Sequence, residues 1–116
     1  MSDKSIFLVF SNPVEGKDEE FNEWYDRVHV PEVTAVPGVV SAQRFDVHER
    51  AADDTQAPLP PTHRYLTVWE LDGDIDTIMT CIGERVMAGT MSISDALDRG
   101  SAAISFWVPR GPKVES

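Results

Sequence analysis

The first third of the chain contains a strand pattern followed directly by a helix pattern. Apolar and aromatic residues follow one another from Ser5 to Ser11 and stop at Asn12-Pro13, which predicts a buried strand and a turn. Between Lys17 and about Ala35, apolar residues recur at the i, i+3, i+4 and i+7 spacing of one helical face. These residues are Phe21, Trp24, Tyr25 and Val28. Because Pro31 lacks a backbone N–H, this first helix is predicted to kink or restart there.

Two further strands are predicted in the middle of the chain. A turn at Pro37-Gly38 precedes the alternating segment V-V-S-A-Q-R-F-D-V-H, which predicts a strand running to about Glu49. β-Branched and aromatic residues from His63 to Leu71 predict a third strand. The segment from Arg50 to Thr62 lies between them and contains three prolines, so we expect a mobile loop.

The last third of the chain adds a second helix and a last strand. Asp72-Gly73-Asp74 predicts a turn and a helix N-cap. An apolar helical face follows and ends near Gly89; its members are Ile75, Ile78, Met79, Ile82 and Val86. One short helical turn is expected between Ser94 and Arg99, and a strand between Ala102 and Pro109.

The element order is therefore strand, helix, strand, strand, helix, strand. This is the split βαβ arrangement of the ferredoxin-like α+β fold, with both helices on one face of a four-stranded antiparallel sheet. The strands carry apolar residues on both faces, for example Phe7 and Val9 against Ile6 and Leu8. Since the helices cover only one face, we expect a homodimer formed through the open face of the sheet.

Length and charge narrow the class of protein. The 116 residues are expected to form a single domain spanning residues 1–116, because a chain of this length holds one core. Twenty acidic against ten basic residues give a net charge of −10, which disfavours nucleic acid and anionic membrane surfaces as partners. The apolar run near the N-terminus is too short for a signal peptide. With a single cysteine, Cys81, no internal disulfide can form, so a cytoplasmic location is expected.

One segment resembles a known family. Residues 21–45 contain W-Y-D-x-x-H-x-P, and residues 64–74 read R-Y-L-T-V-W-E-L-D-G-D. Both are similar to the EthD-like family of the dimeric α+β barrel superfamily. The resemblance implies the same fold and the same dimer. It does not choose a chemistry, because this superfamily includes cofactor-free monooxygenases, lactone isomerases, polyketide cyclases and haem-handling enzymes.

His29 and Tyr25 are the candidate catalytic residues. With Asn22, they share one flank of the first helix, at spacings of four and seven residues. Together with Trp69 they are predicted to line a cavity between this helix and the sheet. A neutral imidazole with a pKa near ~6.5 can take a proton from an activated carbon or hydroxyl, and Tyr25 could polarise an oxygen. Alternatively, His29 caps carbonyl groups near the proline and Tyr25 belongs to the core. We expect Asp26 or Glu32 to offset desolvation and hold the pKa of His29 between about 6 and 7.

Five residues are candidates for binding a hydrophobic or aromatic substrate. Four of them offer flat rings or a side-chain amide: Asn22, Trp24, Tyr65 and Trp69. Phe45 and Phe106 could add further apolar surface, although aromatic residues at such spacings are more often plain core. The fifth, Arg44, either binds a substrate oxyanion or pairs with a carboxylate, with Asp26 among the possible partners.

The other two histidines and the cysteine are weaker candidates for a functional site. His48 and His63 lie at the two ends of the proline-rich loop, but no compact metal-ligand motif surrounds them, so no metal is expected. Cys81 is predicted to be a small buried hydrophobe. No phosphate-binding glycine motif and no serine-hydrolase elbow occurs in the sequence.

Two functions remain open at the level of the sequence. The first is a cofactor-independent enzyme of isomerase, dehydratase, cyclase or monooxygenase type, in which His29 moves a proton. The second is a non-catalytic ligand-binding or accessory protein with the same pocket. A haem protein with His29 as axial ligand is a third, weaker interpretation.

Overall fold

The computed structural model describes residues 4–49 and 62–116. Its elements follow in the predicted order, which confirms the fold class. They are β1 (Ser5–Ser11), α1 (Asp18–Trp24), a π-helical turn (Tyr25–His29), α2 (Val30–Thr34), β2 (Val39–Asp46), β3 (Tyr65–Leu71), α3 (Ile75–Met87), a 3₁₀ turn (Arg99–Ser101) and β4 (Ala103–Trp107). The predicted loop falls almost entirely on residues 50–61, outside the described residues.

The four strands form one antiparallel sheet in the order β2-β3-β1-β4. The two central strands are therefore the first and third in sequence, as the split βαβ plan requires. In one cross-strand row, Trp69 pairs with Ala42 on one side and Phe7 on the other, and Phe7 pairs in turn with Phe106. This row lies on the face that the helices cover, so it supplies the floor of the core.

The core is built between that face and the helices. Phe21 is fully buried on α1, and Val33 is 2% exposed on α2. They pack in one cluster with Trp69 and Leu71 of β3, each 1% exposed. Burial of these large side chains is the main force that holds the helices on the sheet, at roughly 1.5–3 kcal/mol for each side chain removed from water.

The opposite face of the sheet has no covering layer among the described residues. It consists largely of half-buried apolar side chains from the two central strands: Ile6, Leu8, Phe10, Leu66 and Val68. At its edges, Phe45 is 42% and Trp107 56% exposed. The molecule measures only 21 Å in its thinnest direction, which corresponds to one sheet and one helical layer. The open apolar face thus matches the expectation from the sequence.

The first helical segment is interrupted close to its proline, as predicted. α1 passes into the π-helical turn Tyr25–His29, and α-helical hydrogen bonding restarts in α2 at Val30, one residue before Pro31. The backbone of His29 and Val30 remains in the right-handed helical region, so the axis is not broken. The restart is therefore found, together with a π-helical turn that the spacing of the apolar residues does not indicate.

The strand boundaries beside the proline-rich loop differ from the sequence prediction, and the last strand is shorter than predicted, at Ala103–Trp107. β2 ends at Asp46 rather than about Glu49, and β3 begins at Tyr65 rather than His63. Asn12 explains the later start of β3, because its side chain accepts from the backbone N–H of Arg64 at 2.8 Å and donates to the carbonyl of Thr62 at 3.0 Å. These bonds use backbone groups that a longer strand would pair.

The second predicted helix is confirmed as α3. Asp74 is its N-cap and accepts from the backbone N–H of Thr77 at 2.9 Å and from its hydroxyl at 2.7 Å. These two hydrogen bonds lower the pKa of the Asp74 carboxyl. Ile78, 4% exposed, packs against Gly38 at the start of β2 and so fixes α3 on the sheet. Among the described residues, no helix is both long and apolar enough to cross a membrane.

Candidate functional site

His29 lies within a group of aromatic rings at the end of the π-helical turn. Its ring stacks on Trp24 at 4.6 Å between centroids, with an interplanar angle of 20°. Tyr25 meets it nearly at right angles at 5.1 Å, and Trp69 of β3 does the same at 5.9 Å. We call these four residues the aromatic cluster. The structure therefore brings together both candidate catalytic residues and two of the candidate substrate-binding residues.

The π-helical turn is what allows Trp24 to stack on His29. In an α-helix of 3.6 residues per turn, two residues five positions apart point roughly 140° away from each other. A π-helix closes its hydrogen bonds from i to i+5, so residues four and five positions apart both come to lie close to one face. Trp24 and Tyr25 can then flank the same imidazole. Single π-helical turns occur frequently at functional sites.

Several polar atoms of this region are buried and have no hydrogen-bond partner among the described residues. They are Trp24 Nε1, Tyr25 OH, His29 Nδ1, Thr67 Oγ1 and Trp69 Nε1. An indole N–H can only donate, so each needs an acceptor oxygen. Buried polar groups are normally hydrogen-bonded, and leaving one unpaired costs about 1–3 kcal/mol. The cluster is thus chemically suited to a ligand that carries oxygen atoms.

Burial lowers the pKa of His29 to about 4. The expectation from the sequence, a pKa between 6 and 7 held up by Asp26 or Glu32, is therefore wrong. Asp26 is bound to Arg44 instead, and desolvation by the surrounding rings is the cause of the shift. The imidazole is consequently neutral at physiological pH and available as a proton acceptor.

Tyr25 is also strongly affected by burial, being 2% exposed. Desolvation raises the pKa of its phenol, and the Thr67 hydroxyl and the Arg44 guanidinium lower it by less. The hydroxyls of Tyr25 and Thr67 interact, although not in the geometry of a hydrogen bond. Tyr25 therefore stays protonated and serves as a hydrogen-bond donor rather than as a base.

The lowered pKa of His29 predicts acid sensitivity of the fold. The unfolded chain binds a proton at the ordinary pKa near 6.5 and the folded protein only near 4. Stability is therefore fully present above pH 6.5 and lost as the pH falls towards 4, by about 3 kcal/mol for this residue. Urea unfolding between pH 4 and 7 measures the slope of the free energy of unfolding against pH.

This slope should be smaller in His29→Gln, because glutamine cannot bind a proton. His48→Gln is the matched control, because His48 is exposed after the end of β2. An equal slope in the parent and in His29→Gln would contradict the assignment of acid sensitivity to His29.

Three further candidate residues form a second group beside the cluster. Arg44 donates to Asn22 Oδ1 at 3.0 Å and to Asp26 Oδ1 at 2.8 Å. Asn22 donates in turn to the Tyr65 hydroxyl at 3.2 Å. The pairing of Arg44 with Asp26 is one of the two possibilities that the sequence left open, and it is the one found. Asn22, Arg44 and Tyr65 are thus bound to one another, and their connection to His29 runs through Tyr25.

The remaining predicted aromatic residues lie elsewhere. Phe106 stacks on Phe7 at 4.8 Å on the helix-covered face, beside β1. Phe45 is exposed on the open face. Neither contributes to the surroundings of His29, so the two halves of the predicted aromatic surface are separate.

A cavity of about 330 Å³ lies at the far end of β2 and β3. Its lining includes Phe10, Phe45, Arg64, Leu66 and, among the predicted substrate-binding residues, Tyr65. It does not include Asn22, Tyr25, His29 or Trp69. This cavity is therefore not the one that the sequence predicted between the first helix and the sheet.

The other polar groups are engaged in local contacts. His63 Nε2 lies 2.6 Å from the carbonyl oxygen of Ser101, and its Nδ1 lies 3.0 Å from the Thr62 hydroxyl. Cys81 is half-buried on α3. Within residues 4–49 and 62–116, no group of three or more histidine, cysteine or carboxylate side chains is arranged to hold a metal ion.

Sequence reasoning missed one residue of this region, Thr67. It is fully buried, and its hydroxyl has no partner among the described residues. A signal was available, because Thr67 lies between Tyr65 and Trp69 with the period of two that marks one face of a strand. Thr67 is small and lies between two aromatic residues, so a pattern of aromatic side chains does not mark it.

Comparisons with known proteins identify the fold. No protein-family model matches the sequence, and no curated protein does. A protein proposed to be a monooxygenase from Shewanella loihica PV-4 has a TM-score of 0.60 at 16% identity, covering 98% of this chain and 99% of its own. The heme-degrader MhuD from Mycobacterium tuberculosis has a TM-score of 0.60 at 13% identity, covering 95% and 99%. An EthD family protein from Bacillus halodurans has a TM-score of 0.51 at 11% identity, covering 97% and 99%.

These neighbours share the fold of this chain over nearly its whole length. The chain accordingly has the ferredoxin-like α+β fold that the resemblance of the W-Y-D-x-x-H-x-P segment implied. At these identities the likeness defines the fold, and the chemistry has to be argued from the site.

Proposed function

We propose that the protein is a cofactor-independent small-molecule enzyme in which neutral His29 removes a proton from an apolar, oxygen-bearing substrate. The observation that carries the proposal is the set of buried, unpartnered polar atoms around an uncharged imidazole. Each atom costs stability in the absence of a partner, and the donors among them, the indole N–H groups of Trp24 and Trp69 and the Tyr25 hydroxyl, suit a substrate oxygen. The names of the solved neighbours, a proposed monooxygenase and a heme-degrader, are consistent with small-molecule chemistry on this fold.

The energetics assign a role to the donors around His29. A proton moved from a phenol of pKa near ~10 to an imidazole of pKa about 4 costs about 8 kcal/mol if nothing else changes. The indole N–H groups of Trp24 and Trp69 and the Tyr25 hydroxyl offset this cost by binding the oxyanion as it forms. The new negative charge in turn raises the pKa of the imidazole.

The anion produced in this way has two outcomes. Return of the proton to a different atom is an isomerisation. Attack of the carbanion on dissolved dioxygen forms a carbon–oxygen bond and, after protonation, a hydroperoxide; loss of water from it leaves one oxygen atom on the substrate as a carbonyl group, which is an oxygenation. Both begin with the same step at His29, so the proposal is tested on that step rather than on either product.

Haem is the cofactor suggested by the name of one neighbour. In this chain, His29 Nδ1 is buried, and its ring packs against Trp24, Tyr25 and Trp69. An iron bound at Nδ1 would displace one of these rings. The described residues therefore do not fit a haem bound through Nδ1 of His29, and no step of the proposal runs through a haem.

Deuterium exchange tests the proton-abstraction step directly. Incubation of the protein in D₂O with aromatic ketones such as 2-tetralone is followed by NMR, and oxygen uptake is recorded with naphthols. We expect accelerated deuterium incorporation at the carbon beside the carbonyl group. Tryptophan fluorescence measures binding of the same compounds independently.

Binding without exchange and without oxygen uptake would contradict the enzymatic proposal. It would support the alternative, a ligand-binding or accessory protein that uses the same residues. Exchange without oxygen uptake would favour the isomerase form of the enzyme.

We also propose that the protein forms a homodimer through the open face of its sheet. The face is apolar across the two central strands, and Trp107 is 56% exposed at its edge. Monomeric proteins rarely expose a contiguous apolar surface of more than a few hundred Å². A second copy of the chain has the same apolar face, so a dimer removes both apolar faces from water.

Light scattering should therefore give a mass near twice that of the chain at micromolar concentration. Leu8→Lys, in the centre of this face, should produce a monomer, since a paired interface would bury two charges. Glu84→Lys, on the exposed side of α3, is the matched control and should stay dimeric. A stable monomer of the parent chain would overturn the proposal.

A further inference from the structure

The guanidinium of Arg44 is enclosed to an unusual degree for a charged group. Its side chain is 15% exposed, and it lies over three aromatic rings. Its carbon Cζ is 4.4 Å from the centre of the Tyr25 ring, 5.4 Å from Tyr65 and 5.5 Å from Phe21. Burial of a cation is costly unless it is paired and hydrogen-bonded, so this arrangement indicates a specific role.

The guanidinium of Arg44 binds one residue on each side of the point where α1 passes into the π-helical turn. One nitrogen donates to Asn22 in α1, and the other donates to Asp26 in the π-helical turn. Asn22 and Asp26 are four residues apart, and the change from α- to π-helical hydrogen bonding falls between them. Arg44 itself lies on β2, so its fork ties this junction to the sheet.

The same guanidinium is connected to His29 through one ring. Tyr25 has the Arg44 cation at 4.4 Å and the imidazole of His29 at 5.1 Å. A π-helical turn is rare and needs support from its surroundings. Without the fork, the turn that brings Trp24 and Tyr25 around His29 loses its only charged tie to β2 among the described residues.

We propose that Arg44 is a positioning residue, which holds the π-helical turn against the sheet and thereby fixes the rings that enclose His29. The inference deepens the proposed function, since it matters for catalysis only if His29 is the base. A bidentate fork is required, because the compact ammonium of a lysine cannot span two acceptors in this fixed geometry. Arg44→Lys keeps the positive charge and removes the simultaneous hydrogen bonds to Asn22 and Asp26.

The titration of His29 reports its enclosure independently of catalysis. The charged groups nearest to it along the chain are Asp26, which is paired with Arg44, and Arg27, which is exposed beside Glu23. Glu32 follows on α2 and has one buried carboxylate oxygen. From β3, the residue that contacts the His29 ring is Trp69, which carries no charge. Since burial causes the shift, loosened rings should raise the pKa of His29.

NMR of the imidazole Cε1–H measures this titration, and assignment is simple because the chain has three histidines. With a pKa about 4, the parent is about 3% protonated at pH 5.5. We expect Arg44→Lys to raise the pKa by about one unit, to about 24% protonation at that pH. Asp26→Ala should shift it in the same direction by less, and it affects an exposed carboxylate if Arg44→Lys fails to fold.

Arg64→Lys is the matched control. Arg64 also pairs with a helix carboxylate, Asp18, and lies 5.4 Å from the Tyr65 ring, but it does not contact the π-helical turn. The titration curve of His29 in Arg64→Lys should equal the curve in the parent. An unchanged curve in both Arg44→Lys and Asp26→Ala would overturn the positioning role.

The two proposals can fail separately. A shifted titration in Arg44→Lys with no deuterium exchange by the parent leaves the positioning role and removes the enzyme. Exchange by the parent with an unshifted titration in the variants leaves the enzyme and removes the positioning role.

Discussion

His29→Gln is expected to lower the rate of proton abstraction by about 10²- to 10⁴-fold, the usual contribution of a positioned general base. Glutamine keeps a polar group of similar reach but cannot accept a proton. In the parent, kcat/KM reports the protonation of the free enzyme, so it should be flat from pH 8 to about 5 and fall as the pH approaches 4. The variant should lose both the rate and this acidic limb.

Ligand affinity separates this result from unfolding of the variant. Binding of 2-tetralone, followed by tryptophan fluorescence, should persist in His29→Gln, because Trp24, Tyr25 and Trp69 retain their donors. A variant that keeps both the rate and the acidic limb would show that another residue is the base.

Gly38→Ala is expected to lower the free energy of unfolding by about 4 kcal/mol. Gly38 has φ +96°, a conformation that costs a residue with a side chain about 1–3 kcal/mol. A Cβ at this position would lie 2.6 Å from Ile78 Cδ1 and Cγ1 and 3.2 Å from the carbonyl oxygen of Asp72. Because Ile78 is β-branched and 4% exposed, it cannot move without repacking the contact between α3 and the sheet, which adds about 1–3 kcal/mol.

Two other glycines separate these contributions. Gly16 has φ +82° but no atom within 4 Å of an added Cβ, so Gly16→Ala should cost only the backbone strain. Gly83 lies within α3 with open space around it, so Gly83→Ala should stabilise the protein by about 0.5–1 kcal/mol. Ile78→Val should recover part of the loss in Gly38→Ala, and urea unfolding measures all four. Equal losses in Gly38→Ala and Gly16→Ala would contradict the steric contribution.

The strands and α3 could be predicted because their patterns are local. The alternation from Tyr65 to Leu71 reflects burial of one face against the helices, and Asp74 is an N-cap whose partner is three residues away. The open apolar face followed from the same alternation. No comparable pattern marks the π-helical turn, because its hydrogen bonds depend on contacts with β2 and β3 that are distant in the sequence.

The sequence predicted that Tyr25 and Trp69 lie near His29, and both rings do. Asn22, which was expected beside them, is bound to Arg44 and Tyr65 instead. The electrostatics could not be predicted, because burial lowers the pKa of the imidazole to about 4 and no carboxylate offsets it. The sequence showed carboxylates close along the chain, whereas the structure binds Asp26 to Arg44 and surrounds His29 with rings. Proximity in sequence could not decide between a charged and an apolar neighbour.

The π-helical turn also has a consequence for how the length of this helix can change. Relative to an uninterrupted α-helix, a single π-helical turn corresponds to one inserted residue. Deletion of an exposed residue within the turn, such as Val28, would let the segment return to regular α-helical hydrogen bonding, with the helix beyond it in its present orientation. His29 would then follow Trp24 by four positions and Tyr25 by three, so both rings would still lie on its face of the helix. Deletion of a residue within α1 or α2 would instead rotate everything beyond it by roughly 100° about the helix axis. The π-helical turn is therefore the part of this segment that can lose a residue while His29 keeps its orientation.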